Sequence, residues 1–403
     1  MPYGVNLRQV YILEKSPNVV SITQTSPKPR KNREKNTKIT DKIIQIINSN
    51  LTIPPGKTSN TQEAITGCVA AASCKASISG YARYHTGLPS HTTCLNILHN
   101  LDMDEMVRQA TSMLIQAGKD VFCRGKTYTF AIDKTQDPYY GKHDHEPGSY
   151  TIGGQRKKST NYFFTYLTMS IVDQGRHLTI FSIPWAKGMQ NLTAIQQCIE
   201  LIDQFGLKIR CLCLDREFYS GEIFRDLQEK HVPHIVPVKV SGTELKAMLK
   251  GRKSKTFRYT QNQQSDTPTE LVITDCVVYQ KGKNGKYGLE HHAFVVSGIS
   301  SSPRNIREIY RHRFAIESTY RLRNTTRPKT TTKDPKIRFF YTLISFLIQN
   351  CWISLKWNCC AKVQRGPKVI DDDRVTLAYF VEIIQHELFN WFRLKEIEDI
   401  VIS

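Results

Sequence analysis

The chain has 403 residues, 40% of them hydrophobic, and carries 56 Lys plus Arg against 36 Asp plus Glu, a formal net charge of +20. That hydrophobic share excludes wholesale disorder and is enough for two or three compact units. The charge points to a polyanionic partner, nucleic acid ahead of an anionic membrane surface, because each phosphate neutralised by Lys or Arg releases condensed counterions.

In chain order, KPRKNREKNTK (Lys28 to Lys38) cannot bury apolar surface. It reads as a flexible arm that either touches phosphates or is a solvated linker. From Ile39 to Lys119 the pattern is helical. Ile43, Ile44, Ile46 and Ile47 cluster, Ser90 is a candidate N-cap after the Gly87-Leu88-Pro89 turn, and Asp102 with Glu105 resembles a capping box. Met103, Met106, Val107, Ala110, Met113, Leu114 and Ala117 then recur at helical spacing. Two short helices around the Gly-Pro turn make a candidate helix-turn-helix. Residues 1–120 are therefore expected to be a mainly helical, DNA-binding unit.

After Gly125 the texture changes. Lys126 to Asp133 reads as a strand ending in an acid. Tyr162 to Val172 and Arg176 to Pro184 read as strands joined by a turn at Asp173-Gln174-Gly175. Asn191 to Phe205 is helical, and Ile209 to Leu214 is a buried strand with Asp215 at its end. A helix from Phe218 to Lys230 and a strand from His234 to Val238 follow. Residues 121–238 thus form the first part of a mixed α/β core. Residues 239–300 read as a β-rich insertion, 301–362 as the helical second part of the core, and 363–403 as a C-terminal helical segment with a helix from Val375 to Phe389. The most apolar run, Phe339 to Ile348, is shorter than the roughly 20 residues that span a bilayer and reads as a core helix. The 11 cysteines include no CxxC pair, which excludes zinc-finger spacing and suggests free thiols in a reducing cytoplasm. The opening MPYGVNLRQVYILEKS does not read as a secretory signal.

Two acids at strand ends carry the chemistry. If their strands are neighbours, Asp133 and Asp215 emerge on one sheet edge, where α/β sheets place their sites, and hard carboxylate oxygens suit Mg²⁺. In IREIYRHRFAIESTYRLRN, the residues Tyr310, Arg313, Glu317, Arg321 and Asn324 fall at steps of three or four and share one helix face. Glu317 can bind metal there while Arg313 and Arg321 hold phosphate oxygens in a fork. The competing reading of this helix is an exposed face with Arg–Glu pairs. Asp137 is either a substitute ligand or a turn residue before Pro138. HDHE (143–146) is a solvated loop or a lid, Glu217 stands behind Asp215, Lys157 and Lys158 reach DNA or lie in a surface loop, and Trp185 packs.

The segment Tyr310-x2-Arg313-x3-Glu317 is similar to the start of the Tyr-x2-Arg-x3-Glu-x6-Lys signature of bacterial and archaeal cut-and-paste insertion-sequence transposases with a DDE site. AIDKT around Asp133 and CLDREF around Asp215 resemble that family's first two acid motifs, and the β-rich insertion lies in the corresponding gap. The resemblance spans about Lys126 to Arg338. It implies a ribonuclease H-like fold in which Asp133, Asp215 and Glu317 hold two Mg²⁺ or Mn²⁺ ions for strand cleavage and strand transfer at insertion-sequence ends. It further implies phosphate contacts from Tyr310, Arg313, Arg321 and Asn324. The implied partners are double-stranded transposon-end and target DNA, with a homodimer in the synaptic complex and a cytoplasmic, nucleoid-associated location. The sequence departs from the signature at Asn324, which stands where the family has Lys; Arg321, Arg323 or Arg327 are alternative sources of that charge. No Trp lies between Lys239 and Ile299, which leaves Phe257, Tyr259, Tyr279 and Tyr287 to stabilise a flipped base. Competing readings are a nuclease or junction resolvase on the same fold, a non-cutting DNA-binding protein derived from a transposase, and a membrane-surface protein.

Overall fold

The computed structural model describes residues 38–54, 60–142, 146, 148–157, 159–261, 267–282, 287–362, 364–365, 368–389 and 391–395. The basic arm at 28–37, His143 to His145 of the HDHE loop, and Lys158 lie outside the described residues.

Five helices come first: α1 (Ile39–Asn50), α2 (Thr61–Ser73), α3 (Ile78–Tyr84), α4 (His91–His99) and α5 (Met103–Gly118). The expected caps form. Ser90 accepts from the Thr93 amide and Asp102 from the Glu105 amide, each satisfying a donor that the first helical turn leaves open. The start of α1 is capped from far away: the Glu387 carboxylate accepts from the amides of Ile39 and Thr40 at 3.1 and 2.8 Å. An anion at a helix N-terminus is favourable there.

Strands β1 (Thr127–Tyr139), β2 (Thr151–Lys157), β3 (Thr160–Asp173) and β4 (Arg176–Pro184) precede α6 (Asn191–Gln204), β5 (Lys208–Leu214), α7 (Gly221–Glu229) and β6 (His234–Pro237). Gly206 has φ +63° where α6 turns into β5, and its amide closes onto the Asp203 carbonyl. Such a left-handed end is one that glycine adopts without steric cost. Then come α8 (Thr243–Met248), β7 (Lys255–Gln261), β8 (Thr269–Lys281), β9 (Tyr287–Ser297), α9 (Pro303–Arg311), α10 (Phe314–Arg323), α11 (Pro335–Cys359) and α12 (Leu377–Phe389).

All nine strands join one sheet in the order β2-β3-β1-β5-β6-β9-β8-β7, with β4 beside β3. Only β1–β5 and β5–β6 are parallel. The β-rich insertion therefore continues the main sheet through β6–β9 pairing. Helix α11 is buried along its whole apolar run and packs with α5 against β4. Among the described residues no helix is long and apolar enough to cross a membrane. On the other sheet face, Ala131, Cys211, Cys213, Ile235 and Phe294 pack against Ile306, Tyr310 and Ile316 of α9 and α10.

Three sequence expectations need correction. Strand β1 does not end at Asp133 but runs six residues further, because β3 pairs with it from Phe130 to Tyr139. Pro138 is tolerated in it because the β5 ladder has already stopped at Ile132, so no donor is missed on that side. Lys157, read as reaching DNA or lying in a surface loop, instead ends the edge strand β2 paired to β3. The expected single helix from Arg304 to Asn324 is broken at His312–Arg313, where the amides of Arg313, Ala315 and Ile316 bond three residues back.

Candidate active site

The parallel β1–β5 ladder ends at the pair Ile132–Leu214. Asp133 and Asp215 are the next residues on their strands, so they stand side by side where the ladder stops. Side chains alternate faces along a strand. Asp133 shares parity with Ala131, and Asp215 with Cys213 and Cys211, whose side chains pack under α9 and α10. Both acids therefore face these two helices.

Helix α10 brings the third acid. Glu317 lies in its first turn. Arg313, at the helix break, points inward among the three carboxylates. Its Nη1 donates to Asp133 Oδ2 at 2.9 Å, and its Nη2 lies 3.3 Å from Asp215 Oδ1 and 3.5 Å from Glu317 Oε1. One buried guanidinium thus joins acids from three elements.

Their environments differ. Asp133 is 8% exposed, while the Glu317 side chain is 50% exposed and that of Asp215 36%. Burial pushes the Asp133 carboxyl up to about 6; Arg313 pulls against this and Asp215 reinforces it. Burial works against the Arg313 charge, but Tyr310 and the three acids outweigh it and raise its pKa. Tyr310 is buried, its hydroxyl donating to the Leu214 carbonyl at 3.3 Å beside Asp215.

Helix α10 is fastened to the strands below it. The Tyr320 and Thr168 hydroxyls are 2.6 Å apart, linking α10 to β3. Asp137, 1% exposed and four residues past Asp133 on the same strand face, binds Arg323 and Arg327. Burial would raise the Asp137 carboxyl, but Arg323 and Arg327 hold it below the usual carboxylate range. On the opposite face of β1, Lys134 Nζ bonds Asn191 Oδ1 at 2.8 Å and Glu217 Oε1 at 2.9 Å, and lies 3.8 Å above the Trp185 ring. This cation ties the turn after Asp215 to the strand of Asp133.

The helix break divides the expected phosphate-binding face. Tyr310 and Arg313 are buried, whereas Arg321 and Asn324 are exposed. Of the sources proposed for the missing Lys charge, Arg323 and Arg327 are committed to Asp137 and Arg321 stands in solvent. Of the four candidate aromatics, Phe257 and Tyr259 pack against the core, while Tyr279 and Tyr287 are 60% and 79% exposed. The lock formed by Asp137, Arg323 and Arg327 was missed as a unit. Its signal was the four-residue step from Asp133, which keeps both acids on one strand face.

Among the described residues no three His, Cys, Asp or Glu side chains are close enough to ligate one ion as they stand. The chemistry of Asp133, Asp215 and Glu317 nevertheless fits a hard divalent cation. All donors are carboxylate oxygens, and their charge already draws a cationic group into their midst.

A solved structure titled as the piggyBac transposase synaptic complex with hairpin DNA is similar, with a TM-score of 0.55 at 13% identity over 82% of this chain and 71% of that one. That likeness concerns the fold. No curated protein matches the chain. The family model described as "Transposase DDE domain" matches residues 124–350, more than half of the chain and a span that holds all three acids. The chain belongs to this family of DDE-domain transposases, and its activity is that of a DNA transposase.

Proposed function

We propose that Asp133, Asp215 and Glu317 are the catalytic carboxylates, and that they hold two divalent ions, Mg²⁺ or Mn²⁺, for cutting and joining strands at the ends of an insertion-sequence element. The observation that carries this reading is the convergence of all three acids on the single guanidinium of Arg313. Carboxylates gathered from separate elements around one positive charge repel one another unless a cation joins them.

When bound, the ions supply Lewis acidity to the scissile phosphate and lower the pKa of an attacking water. The chain's own residues do the rest. Asp133, fixed by the Lys134 amide at 2.8 Å, presents a rigid, buried oxygen pair. Asp215 and Glu317 are open to solvent and admit the substrate phosphate from that side. Carboxylates act as ligands, so no covalent intermediate on the protein is required. Arg321 and Asn324, exposed past Glu317 on α10, contact the DNA backbone, with Tyr310 and Arg313 set behind the acids. Tyr279 and Tyr287 are the exposed rings available to a base displaced from its stack. The ends of the element are double-stranded DNA, and joining two of them calls for two copies of the chain in one complex.

Asp133→Asn, Asp215→Asn and Glu317→Gln are each expected to abolish cleavage of end-bearing DNA, with gel-shift affinity and circular dichroism unchanged. Normal cleavage by any one of them would remove that acid from the site. Strand-transfer products with a 3′-hydroxyl donor distinguish transposition from cutting by a nuclease of the same fold.

A further inference from the structure

Between Leu245 and Gln261 the chain carries Lys246, Lys250, Arg252, Lys253, Lys255 and Arg258, and no acid. Five of these cations are exposed and Lys255 is half-buried. Among the described residues none of the six forms an ion pair. Lys255 donates to the Lys250 carbonyl and lies over the Phe257 ring. Other exposed cations do have acid partners, as Lys230 has Asp226 and Arg311 has Glu308.

Strand register places this stretch relative to the acids. Cys213 pairs with Ile235, so the level of Asp215 continues to Pro237, which pairs with Phe294. Phe294 pairs with Thr274, and Thr274 with Thr256. A single row thus crosses the sheet from Asp133 and Asp215 to Thr256. Lys255 is one residue beyond that row, and Lys250 to Lys253 form the turn that leads into it. Lys250, Arg252, Lys253 and Lys255 therefore lie at the same sheet edge as the acids, with Arg258 two residues below the row. β7 is four inter-strand steps from β5 and five from β1, about 19 and 24 Å at roughly 4.8 Å per step. Six base pairs of B-DNA at about 3.4 Å per step cover a similar distance. Between the two lies the β8–β9 hairpin, with Lys281, Tyr279 and Tyr287 exposed.

We propose that the Lys246–Arg258 surface grips the backbone phosphates of duplex DNA about six base pairs from the phosphodiester cut at the acids. The register row, the lack of matching acids and the duplex-scale spacing carry it; it rests on the reading of Asp133, Asp215 and Glu317 as the cutting site. Phosphate contacts of this kind set the register of the protein on the duplex and are indifferent to base sequence. Protection of an edge strand does not account for them. Charges on the strand itself suffice for that, whereas Lys246, Lys250, Arg252 and Lys253 precede β7.

The test uses the full chain and the triple variant K250Q/R252Q/K253Q, whose side chains are exposed in a turn outside α8 and β7. A control, R124Q/K126Q/K208Q, removes three exposed cations at the opposite ends of β1 and β5. Binding to a 40-base-pair duplex is measured across a salt series, in the wild-type and Asp133→Asn backgrounds. The triple variant should lower the slope of log affinity against log salt by about 2 to 3, at roughly 0.9 per phosphate contact. It should also lose hydroxyl-radical protection about six base pairs from the cut. A duplex ending within about three base pairs of the cut should bind wild type and triple variant alike. An unchanged slope, an equal fall in the control, or an unaltered footprint overturns the proposal. Failure of the acid assignment is separable, because it shows as cleavage by Asp133→Asn whatever the slopes do.

Discussion

Arg313 concentrates the electrostatics of the site in one side chain. Arg313 is 6% exposed, and its guanidinium satisfies acids that would otherwise face one another. Arg313→Gln is expected to lower the stability of the metal-free protein by about 3 kcal/mol, the scale of breaking a buried pair. The same substitution removes a competitor for the carboxylates. Mn²⁺ should therefore raise the melting temperature of Arg313→Gln more than that of the wild type, since a ligand that binds only the folded state stabilises according to its affinity. Equal shifts in a thermal-melt titration would show that the guanidinium and the ion do not share the space. The sequence singled out all four residues as candidates, although Asp133 was picked as a strand end and lies mid-strand, at the end only of the β1–β5 ladder. The direction in which Arg313 points was not legible. Spacing alone puts Arg313 and Arg321 on one helix face, whereas docking against the sheet buries Arg313 and leaves Arg321 exposed.

The helix that carries Glu317 has a mixed surface and does not hold itself in place. Asp137 anchors it from β1 through Arg323 and Arg327, and the Arg323 guanidinium also donates to Thr342 of α11 at 3.3 Å. Asp137→Asn leaves a buried arginine without its anion and should cost about 3 to 5 kcal/mol in chemical denaturation. The apolar triple replacement Asp137→Leu, Arg323→Met and Arg327→Met should cost less than the single change, because none of the three paired charges remains to desolvate. Strand β6 makes a pH-dependent contribution. His234 is buried, stacks near Phe224, and has its pKa lowered chiefly by burial. The unfolded chain binds this proton near pH 6.5 while the folded chain refuses it, so the stability His234 contributes is present above about pH 6.5 and lost as pH falls below it. His234→Phe should flatten the drop in melting temperature between about pH 7 and 5, leaving the share of the half-buried His177, whose pKa is also lowered chiefly by desolvation. Identical pH profiles would assign the acid limb elsewhere. Most strands and helices were legible because periodicity marks them. Strand β2 was not, since Gly153, Gly154 and Gln155 carry no alternating apolar pattern and form a strand only because β3 offers an edge.

Across the whole molecule, a net charge of +20 is distributed unevenly, with an unpaired basic stretch on the sheet edge that bears the acids. DNA binding by the full chain should weaken steeply and linearly on a log–log salt plot, and the same plot for an uncharged ligand should be flat. A flat response to DNA would remove the phosphate-contact argument altogether. The stretch from Lys246 to Arg258 was visible in the sequence as six cations without an acid, yet its meaning depends on register. β7 is the last strand of a sheet whose order, β5-β6-β9-β8-β7, runs against chain order after β6. Local pattern determined most of the elements, the two candidate aspartates and the excess of positive charge, because each depends on residues close in sequence. Which acids meet, which arginine stands among them and how far the cations lie from the cut were decided only by tertiary structure, because those distances are set by strand pairing and helix docking between segments far apart along the chain.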